Sequence, residues 1–183
     1  GGPSWADYGK PSAIHELSAL VGQITRLKTP KQPRTTLNVG RIWGGTSVNS
    51  LAAGAGLELD LRCEESDGLQ RLVREVEGLV KQANKPGVVM QAEQIGERPA
   101  GGLPEDHPLV RLAEDCLREA GLTPNLTAGS TDANLPLSRG YPALVLGLTT
   151  GGGAHTLHEY IDIAPLAKGL ESVVQFVGRV VQT

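Results

Sequence analysis

The chain has 183 residues, 39% hydrophobic and 20% charged, with a formal net charge of −3. That length allows one ordinary domain or two small ones, with about 70% of the unfolded surface buried on folding. No apolar run approaches the roughly 18 residues of a membrane-spanning helix, no secretory leader is visible, and the mildly acidic balance argues against a nucleic-acid partner. Cys63 and Cys116 lack metal-ligand spacing and read as reduced thiols of a cytoplasmic protein. The 24 glycines and 12 prolines, with only 3% aromatics, suit loops at strand ends better than a tight helical bundle.

After a loop from Gly1 to Gly9, Pro11 and Ser12 open a helical pattern carried by Ile14, Leu17, Leu20, Val21, Ile24 and Leu27. Thr35 to Trp43 is β-branched and apolar and predicts a strand closed by Gly44-Gly45. Ser47 to Gly56 is loop-like, and Leu57 to Arg62 alternates strictly, as a half-buried strand does. Leu69, Leu72, Val73, Val76, Leu79 and Val80 mark a second amphipathic helix. A turn at Lys85-Pro86-Gly87 precedes a short strand, Val88 to Ala92. These elements imply an antiparallel α+β layer with helices on one face.

Residues 97–104, with Pro99, Gly101, Gly102 and Pro104, form the predicted boundary between a first domain, 1–96, and a second, 105–183. Asp106 is the expected cap of a helix from about Pro108 to Ala120, stopped by Gly121. Asn125 to Thr127 and Pro142 to Gly147 are expected strands, the latter apolar enough for burial on both faces of a parallel sheet. Gly129 to Asn134 is a polar turn whose N–H groups could face an anion. Pro165 opens the last helix, with Leu166, Leu170, Val173, Val174, Val177, Val180 and Val181 assigned to its buried side. The second segment is thus α/β in character and reads as part of a doubly wound sheet.

His155 and His158 follow a glycine loop, where open α/β sheets place ligands, and Glu159 and Asp162 lie beside them. The spacing fits both a one-zinc site and plain polar loop residues. Glu64-Glu65 could pair a general base with a metal ligand, but its place before a helix favours an electrostatic role at the helix N-terminus. Arg62 could clamp a carboxylate bidentately or lie on a solvated face. Asn49 reads equally as a binding residue or a turn former. No G-x-S-x-G elbow or phosphate-binding loop is present.

Four stretches in order resemble one family. They are Gly1–Trp5 with Pro11–Ile14; Asn38–Gly45 to Asn49 with Leu59–Arg62; Gly129–Asn134; and Gly151–Asp162. Together they are similar to the lid (dimerisation) domain and the C-terminal part of the catalytic domain in the two-zinc peptidases and deacylases. That family includes carboxypeptidase G, peptidase T, acetylornithine deacetylase and succinyl-diaminopimelate desuccinylase. The resemblance implies a fold class of α/β and α+β: a ferredoxin-like antiparallel lid lacking its first strand, then a partial doubly wound domain. It also implies cleavage of an amide bond in a small peptide or N-acyl amino acid, with two divalent metal ions, zinc first and cobalt or manganese as alternatives.

By the same resemblance His155 is a metal ligand, and Arg62, Asn49, Ser130 and Thr131 bind substrate, Asn49 in a neighbouring subunit's site. A homodimer through the lid is implied, using the Ser12–Leu27 helix and an edge strand. The sequence departs from the family in having no His-x-Asp pair, a Glu-Glu pair only inside the lid, and Pro3 where many members carry histidine. The chain is therefore expected to be inactive alone, as a truncated part of a hydrolase. The alternative is a non-catalytic dimerisation or regulatory module derived from that family.

Overall fold

The computed structural model describes residues 1–182, which divide between two compact units, Gly1–Glu97 and the stretch from Arg98 onward. The fold is mixed α/β with small antiparallel sheets. No helix among the described residues is long and apolar enough to cross a membrane.

The first unit is organised by one hairpin-like ladder. Strand β2 (Thr35–Gly44) pairs antiparallel with β4 (Ala55–Cys63), from Thr35 opposite Cys63 to Gly44 opposite Ala55. The register slips once, between Val39 and Arg41, leaving Gly40 as a bulge residue. The alternation of β4 turns Leu57, Leu59 and Leu61 toward the helices α1 (Ala13–Ile24) and α2 (Ser66–Gln82). There they meet Leu17, Leu20 and Ile24 of α1 and Val76 and Val80 of α2, the buried centre of the unit. A second two-stranded sheet, β1 (Gly2–Pro3) with β3 (Ser50–Leu51), ties the amino end to the connection between β2 and β4.

Local chemistry departs from expectation at three points of this unit. Ser12 occupies the N-cap of α1, but its side chain does not cap the helix. It is buried and accepts from the Ala52 N–H at 3.3 Å, while Ala13 N–H donates to the Ala52 carbonyl at 2.9 Å. Thr25 rather than Leu27 closes α1. The expected strand Val88–Ala92 is not laddered, because Asn84 takes both main-chain groups of Met90. Its Oδ1 accepts from Met90 N–H at 2.9 Å, and its Nδ2 donates to the Met90 carbonyl at 3.1 Å. Only an isolated bridge, Lys85 with Val88, remains of the strand.

The second unit rests on α3 (Pro108–Glu119) packed against α5 (Leu166–Val180), with Val110, Ala113, Cys116 and Ser172 buried. His107, not Asp106, is the N-cap of α3; its Nδ1 accepts from Leu109 N–H at 3.1 Å. Between the helices lie a short helix, α4 (Asn134–Ser138), and the hairpin of β5 (Gly151–Gly152) and β6 (Tyr160–Ile161). Asn125–Thr127 and Pro142–Gly147 form no strands. An extended segment becomes a strand only when a neighbour supplies the other half of the ladder, and among the described residues neither segment is paired in one.

The burial assigned to α5 needs the same correction. Leu170 is 56% exposed, Val174 63%, Val177 52% and Val181 80%, whereas Gly169 and Ser172 are buried. The apolar surface of α5 is wider than α3 alone covers, so the packed face is the small-residue one. A Cβ at Gly169 would lie 1.9 Å from the Leu148 carbonyl oxygen, so glycine lets the Leu148 backbone rest on the helix. At the end of the helix pair, Arg179 Nη1 donates to Glu119 Oε1 at 3.0 Å, and Nη2 pairs with Oε2. That hydrogen bond holds the Glu119 carboxyl below its ordinary range and raises Arg179.

Two outcomes follow from this packing. Gly169→Ala should lower the unfolding free energy by about 1–3 kcal/mol through overpacking. Gly178→Ala in the same helix, where a methyl meets nothing within 4 Å, should raise it by up to about 1 kcal/mol through helix propensity. Urea unfolding of both variants checks the pair of signs. For Glu119, a depressed carboxyl contributes stability above its unfolded pKa and loses it as pH falls through the folded one. Acid titration of the Glu119→Gln variant should therefore show a shallower loss of stability below the ordinary carboxylate range than the unmodified chain.

Candidate functional site

The candidate residues of the first unit sit on the β2–β4 ladder and its connection. Arg62 is opposite Thr36 near one end of the ladder, solvent-exposed, with Nε donating to Asp60 Oδ2 at 2.7 Å. Asp60 stands two residues away on the same face of β4, so it orients the guanidinium outward while leaving its Nη groups for a further anion. Asn49 lies in the exposed connection that leaves the ladder at its other end, Gly44 opposite Ala55. Its Oδ1 accepts from the Ser47 hydroxyl, and its carbonyl accepts from Ser4 N–H at 2.9 Å. Between the Ala55 end and Arg62 the strand runs roughly 23 Å, at about 3.3 Å per residue. The ladder therefore presents Arg62 and Asn49 at opposite ends.

The acidic pair Glu64-Glu65 is structural here. Glu64 Oε2 accepts from Arg34 N–H at 2.8 Å, and Glu64 N–H donates to the Arg34 carbonyl at 3.1 Å, closing the end of the ladder. Glu65 occupies the N-cap position of α2.

In the second unit, Ser130 and Thr131 lie on the Gly129–Ala133 loop before α4. Ser130 is exposed, and its hydroxyl oxygen accepts from Arg98 Nη1 at 3.4 Å. Thr131 N–H donates to Asn134 Oδ1 at 2.7 Å, Ala133 N–H to Thr131 Oγ1 at 3.3 Å, and Asn134 N–H to the Thr131 carbonyl at 3.1 Å. Three main-chain donors of the Gly129–Asn134 turn are thus satisfied within the turn. They are not offered to an anion, which corrects the sequence expectation for those positions and leaves the side chains as the loop's polar surface.

His155 sits at the tip of the β5–β6 hairpin, exposed, with φ of 64°, in the left-handed region. Its N–H donates to Glu159 Oε2 at 3.3 Å. His158 N–H donates to Thr156 Oγ1 at 3.1 Å, and Asp162 Oδ2 accepts from the Thr150 hydroxyl at 2.6 Å. Two of the nearby carboxylates are therefore engaged in holding the hairpin. Among the described residues no three His, Cys, Asp or Glu side chains converge where a metal ion could be held. A zinc centre needs three or four protein donors, or three with an open position, and a two-metal site needs more. The donor set of this chain does not fit such a centre by itself, and the local reading of one zinc on His155 and His158 finds no third donor.

Sequence reasoning found these residue types but missed Arg98, Asn84 and Asn134. Asn134 carried a readable signal: asparagine three residues after threonine in a polar turn is placed to bond the local backbone. Nothing in the pattern indicated the main-chain partner of Asn84 or the Ser130 contact of Arg98.

Residues 6–88 match the family model described as a peptidase dimerisation domain. The chain is 29% identical over 182 aligned residues to the acetylornithine deacetylase of Salmonella typhi, covering 91% of this chain and 45% of that enzyme. It is 31% identical over 138 residues to the acetylornithine deacetylase of Photorhabdus laumondii, covering 72% and 34%. Among solved structures it is similar to aminopeptidase PepT of Bacillus cereus, with a TM-score of 0.69 at 24% identity over 91% of this chain and 45% of that one. A tripeptidase of Staphylococcus aureus gives 0.72 at 22% identity, over 94% and 46%. Residues 6–88 thus carry the dimerisation domain of peptidases, and the similarity to the deacetylases and to the two solved peptidase folds runs on beyond it through most of the chain. It spans between about a third and a half of the length of these relatives.

Proposed function

We propose that these residues are the lid and carboxy-terminal catalytic portion of a metal-dependent amide hydrolase acting on a small peptide or N-acyl amino acid. The observation that carries the reading is the alignment to acetylornithine deacetylase, which runs over 91% of the chain rather than the dimerisation domain alone. In this reading Arg62 binds the substrate carboxylate through the guanidinium face that Asp60 leaves open, and Ser130 and Thr131 line the substrate pocket. His155 is the one metal donor the chain offers. The family's two divalent ions, zinc, cobalt or manganese, need donors beyond this chain, so the 183 residues alone do not hydrolyse substrate.

The placement of Asn49 supports a homodimer. A residue presented at the ladder end away from Arg62 serves a site better if that site belongs to a neighbouring copy. An apolar groove lined by Ile14, Leu17, Ile42, Trp43, Gly44 and Ala55, with Trp43 52% exposed, supplies surface for such an association on α1 and the edge strand β2. The incomplete donor set favours one other reading, a non-catalytic dimerisation or regulatory module.

The test joins this chain to the portion of the Salmonella typhi deacetylase that it does not cover. With metal supplied, the chimaera should release the acyl group from N-acyl amino acids, and Arg62→Ala should lower kcat/KM about ten- to hundredfold, the worth of a charge-assisted hydrogen bond. A folded, metal-loaded chimaera that cleaves neither acyl-amino acids nor small peptides would leave the regulatory reading in place.

A further inference from the structure

We propose that Asn134 is a positioning residue that sets the geometry of the Ser130–Thr131 loop by bridging it to the first residues of the second unit. The inference rests on the reading above, in which that loop lines the substrate pocket. A loop that orients substrate has to be held by its surroundings, and this one belongs to no strand or long helix. One amide side chain joins it to the stretch at Pro99. Asn134 Oδ1 accepts from Thr131 N–H at 2.7 Å, and its Nδ2 donates to the Pro99 carbonyl at 3.1 Å. The bridge requires an acceptor and a donor on one short side chain, which asparagine supplies and neither aspartate nor serine reproduces in full.

A separate contact shows that the Arg98–Gly101 stretch is seated against this region rather than passing by it. A Cβ at Gly101 would lie 2.7 Å from Ser138 N and from Leu137 Cβ, so the backbone of the stretch lies directly on α4. Arg98 Nη1 adds the 3.4 Å contact to the Ser130 hydroxyl. The Ser130–Thr131 loop, α4 and residues 98–101 therefore form one seated assembly, and Asn134 is the side chain hydrogen-bonded to both the loop and the incoming stretch. Its own side chain is turned to the main chain on both sides, so it acts on a substrate only through the loop.

The experiment is amide-resolved NMR on the full chain, comparing the unmodified protein with Asn134→Ala and Asn134→Asp. Alanine should speed hydrogen exchange at Thr131 about two- to tenfold, the worth of one hydrogen bond. Aspartate, which keeps the acceptor, should restore protection at Thr131 while the Ala100 amide, next to the released Pro99 carbonyl, stays shifted as in the alanine variant. Titration with N-acetyl-L-leucine should perturb Ser130 and Thr131 in the unmodified chain. The same titration should bind at least severalfold more weakly to Asn134→Ala and recover in part with Asn134→Asp, with α3 and α5 resonances unchanged throughout. Equal Thr131 exchange in all three proteins, or equal affinity through the same amides, would overturn the proposal. If Thr131 exchange responds to the substitutions but no loop amide of the unmodified chain responds to the ligand, the positioning role stands and the substrate-pocket reading fails. If the alanine variant does not fold, the aspartate variant alone decides, through Ala100 and Thr131.

Discussion

The antiparallel pairing of β2 with β4 is the constraint on which the first unit depends. Strand period is two, so a slip of one residue would turn Leu57, Leu59 and Leu61 away from Leu17, Leu20, Ile24, Val76 and Val80 and expose the core. The same register sets Arg62 beside Asp60 on the outer face and sends the Asn49 connection out from the opposite end. Glu64, bonded at both its side chain and its N–H to Arg34, closes the ladder where β4 gives way to α2. Glu64 of the acidic pair is thus the clasp that closes the ladder, while Glu65 stands at the N-cap of α2, the structural placing that the sequence favoured.

The second unit is built differently. Its described strands are only the two-residue pair of the β5–β6 hairpin, and its core is the contact of α3 with α5, where Val110, Ala113, Cys116 and Ser172 are buried, with Leu148 seated on α5 at Gly169. Its candidate residues consequently stand on loops fixed by side-chain hydrogen bonds: Thr131 by Asn134, Ser130 by Arg98, His155 by Glu159, and the base of the hairpin by Thr150 with Asp162. Loops of this kind carry function on a rigid support. Here the support is α3 with α5, closed at one end by the Glu119–Arg179 pair.

Helices were the most legible part of the sequence. The 3.6-residue spacing from Ile14 to Leu27 and from Leu69 to Val80, and the start and stop signals around Pro108 and Gly121, mark α1, α2 and α3 within a residue or a turn of their observed ends. Strict alternation likewise marked β4. What failed was what depends on neighbours. Pro142–Gly147 has strand composition and no ladder partner, Val88–Ala92 is diverted by Asn84, and the apolar positions of α5 outnumber what α3 covers. The candidate site divides in the same way. Residue types and order along the chain pointed to the family, and the comparisons match its dimerisation domain over residues 6–88 and a deacetylase over most of the chain. Convergence in space was not readable, because Arg62 and Asn49 leave one ladder at opposite ends and His155 stands without two further donors.

The proposed function makes these residues part of a metal-dependent hydrolase whose metal donors are completed outside them. Elemental analysis of the purified chain, after equilibration with trace zinc and exhaustive dialysis, tests it most directly. The account predicts well under one zinc per chain, since a lone exposed imidazole does not retain the ion. A value near two per chain would contradict it. A full site would then assemble from residues assigned here to structure, and Glu64, Glu65, Asp132 and Glu159 would be the first carboxylates to substitute.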